Sequence, residues 1–359
     1  MKVDALILQV LREPRRAATL SLAQWDLLLR QARAANLLAR LAWLMEAHDL
    51  DAHLPPQALL HLRGARLVAA RHRQAALWEI EQVRAALAGA GLPTILLKGA
   101  AYVAADLPCA HGRLFSDIDV LVPKAQINAA EAALMLHGWG STHHDAYDQR
   151  YYRQWMHELP PMQHGKRMTV VDVHHAILPF TARSKPDSAK LIAAARPIAA
   201  RPELKTLAPV DMVLHSACHL FHEEELHHGL RDLADLDALL RAFGDDPAFW
   251  KTLPARSREL DLARPLYYAL RYARRMLDTP VPEEVMRDAA RGAPAWPVRM
   301  LMDGLYGRAL QSPHASCADG LTGVARRLLF VRAHWLRMPV GLLVRHLGHK
   351  VVAERSEEK

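Results

Sequence analysis

A chain of 359 residues, 51% of them apolar, has length for one large or two ordinary domains and ample material for a core. Its three cysteines, Cys109, Cys218 and Cys317, lie far apart without a Cys-x-x-Cys spacing, which excludes a disulfide framework or zinc ribbon and leads us to expect a reducing, cytoplasmic setting. The net charge of +8 comes from scattered rather than blocked arginine, so it does not choose among triphosphate, nucleic-acid and anionic-membrane partners.

Met1 to Arg12 carries a short apolar run broken by charge and not followed by a small-residue cleavage site, and no stretch reaches the ~18 apolar residues of a membrane span. Apolar residues at three- and four-residue intervals predict a helix from Leu20 to His48, with Ser21 as N-cap, and a second from Pro56 to about Ala88 that ends at Gly89-Ala-Gly91. A mixed region follows: a strand over 93–97, a short helix from Gly99 to Ala105, a strand over 118–122 and a helix over 124–137 closing at Gly138. Two further strands, at 150–159 and 167–175, are expected to form a hairpin around Gln163-His-Gly165-Lys166. From Pro209 onward the pattern is helical. This is an α+β chain, a small sheet inside helical flanks, with expected divisions at 1–90 (N-terminal helical region), 91–180 (core) and 181–359 (C-terminal helical region).

The chemistry concentrates between residues 92 and 122. An apolar strand ends in Lys98-Gly99, and a second opens as Arg113-Leu-Phe-Ser116-Asp117-Ile118-Asp119. Strand side chains alternate faces, so Asp117 and Asp119 project together while Ile118 and Val120 turn to the core. Two carboxylates on one face repel unless a cation sits between them, and hard oxygen ligands suit Mg²⁺. Gly99 lets the backbone pass close to an anion and opens a helix whose free amides point at it.

These motifs resemble the nucleotidyltransferase superfamily to which DNA polymerase β and the antibiotic nucleotidyltransferases belong, and more narrowly an uncharacterised bacterial nucleotidyltransferase family in which Lys-Gly replaces the usual Gly-Ser. The resemblance covers most of residues 60 to 245, including Leu214-His215-Ser-Ala-Cys-His219 and Leu230-Arg231-Asp232-Leu-Ala-Asp235. It implies a polymerase-β-like sheet and a third acidic residue on a later strand, matched by Asp172 in Val170-Val-Asp172-Val-His174. The reaction implied moves a nucleoside monophosphate from an NTP to an acceptor hydroxyl, with two Mg²⁺ (or Mn²⁺) ions about 4 Å apart bridged by carboxylates. On this expectation Asp117, Asp119 and Asp172 are catalytic and ligate metal, and Asp172 helps take the acceptor proton. Lys98 gives a point charge to the triphosphate and Gly99 lies under it. Arg113 either forks onto phosphate oxygens or orients Asp117, and Ser116 either fixes the strand entry or serves an ordinary turn. The acceptor is open: a small molecule, a protein or an RNA end. The competing expectation is a degenerate site that binds nucleotide without turnover. Replacing either Asp117 or Asp119 by Asn is expected to cost under about 1 kcal/mol of stability.

Histidines number 21. His215, His219 and His222 share a helix face at a spacing that could bind zinc, but Leu226 breaks a His-Glu-x-x-His match, so a packing face is the better expectation, with His219 near the nucleotide. His174 is a candidate to support Asp172. Arg231, Asp232 and Asp235 are expected to lock helices together. The basic amphipathic stretch from Gly323 to Leu347 either touches an anionic membrane or nucleic acid, or caps the helical region.

Overall fold

The computed structural model describes residues 5–143, 145–339 and 341. The first four residues, the Glu354–Lys359 tail and the basic stretch from residue 342 lie outside the described residues. The N-terminal helices are Leu6–Arg12 (α1), Leu22–Ala34 (α2), Leu38–Ala47 (α3) and Pro56–Gly89 (α4). Ser21 caps α2 in a reciprocal box with Gln24. The single helix expected over 20–48 is two: Asn36 adopts a left-handed φ of 55°, and Leu37 N–H donates back to Ala32 O at 2.8 Å, the closing bond of a helix that has turned out of its axis. At 34 residues, α4 is roughly 50 Å long. It lays Ala76, Ile80, Val83 and Leu87 into the core.

The sheet then begins with Thr94–Leu96 (β1), Lys98–Ala104 (α5), Asp117–Leu121 (β2), Ile127–Leu136 (α6), Trp139–Ser141 (β3), Ala146–Trp155 (α7), Met162–His164 (β4) and Val170–His174 (β5). It is completed by Ser188–Ala194 (α8), Arg196–Ile198 (β6) and Arg201–Thr206 (β7). The seven strands run in the order β3-β4-β5-β2-β1-β7-β6. β2 is parallel to β5 and antiparallel to β1, while β1 is parallel to β7. β1 is buried throughout, as a central strand covered on both faces should be. The α+β architecture expected from sequence is the one found.

Two strand assignments needed correction. The strand expected over 150–159 is mostly the helix α7: Tyr151 and Trp155, one turn apart, pack ring on ring at 5.9 Å, an i,i+4 contact that outweighs the strand preference of paired tyrosines. The hairpin is instead β4 with β5, and β3 adds to β4. Residues 196–206, expected within a helical region, supply β6 and β7, with Leu204 and Thr206 buried in alternation and Pro197 on the edge strand β6.

The remainder is helical, as the periodicity indicates: Pro209–His222 (α9), Gly229–Gly244 (α10), Pro247–Glu259 (α11), Ala263–Leu277 (α12), Glu283–Ala289 (α13), Trp296–Ala309 (α14) and Thr322–Arg337 (α15). Phe221, Tyr268, Tyr272 and Tyr306 join α9, α12 and α14 in one aromatic cluster with centroids 5.2–6.0 Å apart. α15 buries Ala325, Leu329 and Ala333 and leaves Leu328, Val331 and Trp335 exposed. Among the described residues no helix is long and apolar enough to cross a membrane.

The N-terminal helices pack against the C-terminal helical region. Arg12 on α1 donates to Met276 O at 2.7 Å, Gln31 Nε2 donates to Ser316 Oγ at 2.9 Å, and Arg40 on α3 donates to Asp235 on α10 at 3.1 Å.

Candidate functional site

β2 and β5 lie side by side with Asp119 opposite Asp172. Alternation buries Ile118, Val120, Val171 and Val173 on the far face and turns Asp117, Asp119 and Asp172 together. One oxygen from each of these three carboxylates lies within 4.8 Å of the other two. Their surroundings differ. Asp117 is half-buried and accepts from Ser116 Oγ at 2.8 Å. Asp119 is 2% exposed; its Oδ1 accepts from Lys98 Nζ at 2.7 Å and from His174 Nε2 at 2.8 Å. Asp172 Oδ1 is buried and has no hydrogen-bond partner.

An unpartnered buried carboxylate oxygen beside two further carboxylates is a donor set lacking its acceptor, and three hard oxygens on one face fit a small divalent cation. Burial, reinforced by the charge of Asp119, pushes the Asp172 carboxyl up to about 7. Burial also disfavours charge on Asp119, but Lys98 and His174 outweigh it and hold that carboxyl well below the usual range. Lys98 is likewise opposed by burial and raised overall by Asp119.

Behind Asp119 stands a relay that no local sequence signal announces. His174 Nδ1 lies 3.1 Å from Glu158 Oε2, so the ring is held between two carboxylates. Burial works against its charge, yet Glu158 and Asp119 raise its pKa. His157, ring to ring with His174 at 5.4 Å, is kept neutral first by burial and then by the charge of His174. His174 thus supports Asp119 across the strand pair rather than its neighbour Asp172.

In front of the carboxylates opens a cavity of about 360 Å³. Lys98, Gly99, Arg113 and Ser116 all line it, as do Asp117 and Asp119, but not Asp172. A Cβ on Gly99 would come 3.2 Å from Arg113 Nε and Phe115 Cδ1, so glycine lets this loop close over the start of α5. Arg113 is committed to Asp235, which also takes Arg40; here the expected helix lock is real, and it ties α3, the loop before β2 and α10 together. Arg231 and Asp232 do something else. They pair with each other, Nε to Oδ1 at 2.8 Å, and with His219 form the far wall of the cavity. His219 lies at the cavity as expected, whereas Arg231 and Asp232, expected to lock helices, join it there only through tertiary packing. His215 is buried on the same helix and kept neutral by burial, then by Lys98. His222 Nδ1 faces Cys218 O at 2.9 Å, so the three histidines form no common metal site. A second, mostly apolar cavity of about 310 Å³ lies on the other side of Asp117, against Ala75, Ala76 and Glu79 of α4. His72 Nδ1, 3.1 Å from Phe115 O, stands between the two.

No curated protein and no solved structure matches this chain. A family described as uncharacterised nucleotidyltransferase matches residues 21–278, a span that begins at the N-cap of α2, ends just past α12, and contains the three carboxylates, the Lys98–Gly99 turn and the Arg231–Asp232 wall. The chain belongs to that nucleotidyltransferase family.

Proposed function

We propose that the protein is a Mg²⁺-dependent nucleotidyltransferase that moves a nucleoside monophosphate from an NTP to an acceptor hydroxyl. The observation that carries this reading is the convergence of Asp117, Asp119 and the unpartnered Asp172 oxygen, the first two lining a cavity that Lys98 also lines, in a chain of this family. When bound, a divalent cation neutralises charge on the α-phosphate and the leaving pyrophosphate.

The chain's residues have separate tasks in this proposal. Asp117, Asp119 and Asp172 hold the metal, and Mn²⁺ suits the same oxygens. Lys98, Gly99 and the Arg113 loop receive the phosphates, and Ser116 fixes Asp117. The acceptor oxygen bonds to the α-phosphorus as the bond from that phosphorus to the pyrophosphate oxygen breaks. Asp172 takes the acceptor's proton. The catalytic core is taken as 91–180, with β6 and β7 completing its sheet.

Incubation of the purified protein with each of the four labelled NTPs, Mg²⁺ or Mn²⁺, and fractions of small molecules, proteins and RNA tests the reading. Label transfer with pyrophosphate release is expected in one fraction and is abolished by Asp172→Asn, which still binds Mg-NTP in calorimetry. Nucleotide binding without release from any fraction would instead support the degenerate site and overturn the transferase reading.

A further inference from the structure

We propose that this site works with a single divalent cation and that the Lys98 ammonium stands where a second would be. The inference rests on the nucleotidyl-transfer reading above and changes its metal count.

Two cations about 4 Å apart are held by carboxylates that present both oxygens, one to each ion. Asp119 has only one to give. Its Oδ1 already accepts from Lys98 Nζ at 2.7 Å and His174 Nε2 at 2.8 Å. His174 is braced from behind by Glu158 at 3.1 Å and is 2% exposed, so it is not free to swing aside. Freeing Oδ1 for a metal would break two charge-assisted hydrogen bonds and place a divalent ion against the Lys98 ammonium and the His174 Nε2–H.

The oxygens that remain match one ion. Ser116 occupies Asp117 Oδ1, which leaves its Oδ2. Asp119 keeps Oδ2, and Asp172 Oδ1 is buried without a partner. A single divalent cation held by Asp117, Asp119 and Asp172 would take phosphate oxygens and water as its remaining ligands.

Lys98 occupies its place against the preference of the backbone. Its φ of 43° is left-handed, a conformation that glycine accepts and a lysine resists. The side chain held there touches Asp119 on one side and lines the cavity on the other. A positive charge fixed between a carboxylate and the phosphate space supplies what a second ion supplies, without having to be recruited from solution.

The test counts manganese by the electron paramagnetic resonance of free Mn²⁺, with saturating α,β-methylene NTP, in the wild type, Lys98→Met and Lys98→Gly. The methionine variant keeps the side chain's length without its charge, and the glycine variant relieves the backbone, so one of the two is expected to fold, as checked by thermal unfolding. One Mn²⁺ per chain is expected in the wild type and two in a folded variant lacking the ammonium. Two in the wild type, or one in both wild type and variant, would overturn the single-cation proposal while leaving the transferase reading intact. No nucleotide-dependent Mn²⁺ in the wild type would overturn both.

Discussion

Asp117 and Asp119 are equivalent in sequence, each expected to tolerate Asn at under about 1 kcal/mol, yet the structure separates them. Asp117 makes one hydrogen bond, to a neighbouring serine at a half-buried position, so Asp117→Asn should stay under about 1 kcal/mol. Asp119 is buried between the Lys98 ammonium and the His174 ring, and breaking a buried pair from one side costs about 3–5 kcal/mol. That figure falls here for two reasons. Lys98 is 24% exposed, so water recovers part of its charge. An asparagine oxygen also still accepts one bond. The net expectation for Asp119→Asn is about 2 kcal/mol. Removing Asp119 also relieves its repulsion of Asp172, but burial is the leading cause of the raised Asp172 pKa, so the sign of the effect stands. Urea unfolding followed by far-UV circular dichroism, at pH 7 with chelator present, measures both variants against the wild type. Equal midpoints for the two, or a more stable Asp119→Asn, would refute the electrostatic account of the site.

Asp235→Ala leaves Arg40 and Arg113 buried without their shared carboxylate and should lower stability by about 3–5 kcal/mol; a loss below about 1 kcal/mol in urea would show that these arginines are solvated. Gly112 has a φ of 64°, and a Cβ there would run into the backbone carbonyl of Ala39 on α3, so Gly112→Ala should cost more than about 2 kcal/mol, and an unchanged midpoint would contradict the close approach of loop and helix. His222 is pushed down to about 4 by burial, then by nearby Arg332 and Arg337, against the effect of its Cys218 hydrogen bond. The fold therefore prefers its neutral ring, whose contribution is intact above the unfolded value near 6.5 and is lost as pH falls from there towards 4, about 3 kcal/mol in all. Wild-type and His222→Gln stability curves that run parallel between pH 4 and 6.5 would sink this assignment.

What could be read beforehand was whatever strand and helix periods encode locally. Alternation alone places Asp117 and Asp119 on one face, and a third acidic residue on a run of valines supplies the strand beside them. The Ser21 cap and the long α4 follow from caps and spacing. The rest depends on distant parts of the chain. That Lys98 lands on Asp119 is decided by the way β1 pairs with β2 and by a left-handed turn at a residue that is not glycine. Glu158 reaches His174 because the chain leaving α7 returns to the end of β5. Arg231 and Asp232 carry no local mark of facing carboxylates that come more than 100 residues earlier. α7 is misread because the turn at Gln163–Lys166 is expected to join a strand over 150–159, whereas the arm that pairs there is the shorter β4.

The closure of the chain on itself bears on when the protein becomes competent during synthesis. A ribosome-bound chain that has emerged to residue 206 holds every strand of the sheet and all three carboxylates. It still lacks Asp235, the carboxylate that Arg113 and Arg40 share, and it lacks the Arg231–Asp232 wall that encloses the cavity in front of the sheet. Contacts that span so much sequence form late, after the loop entropy between them has been overcome. The cavity in front of the carboxylates is therefore among the last features to assemble, and a prematurely terminated chain would expose the acidic strands without enclosing it.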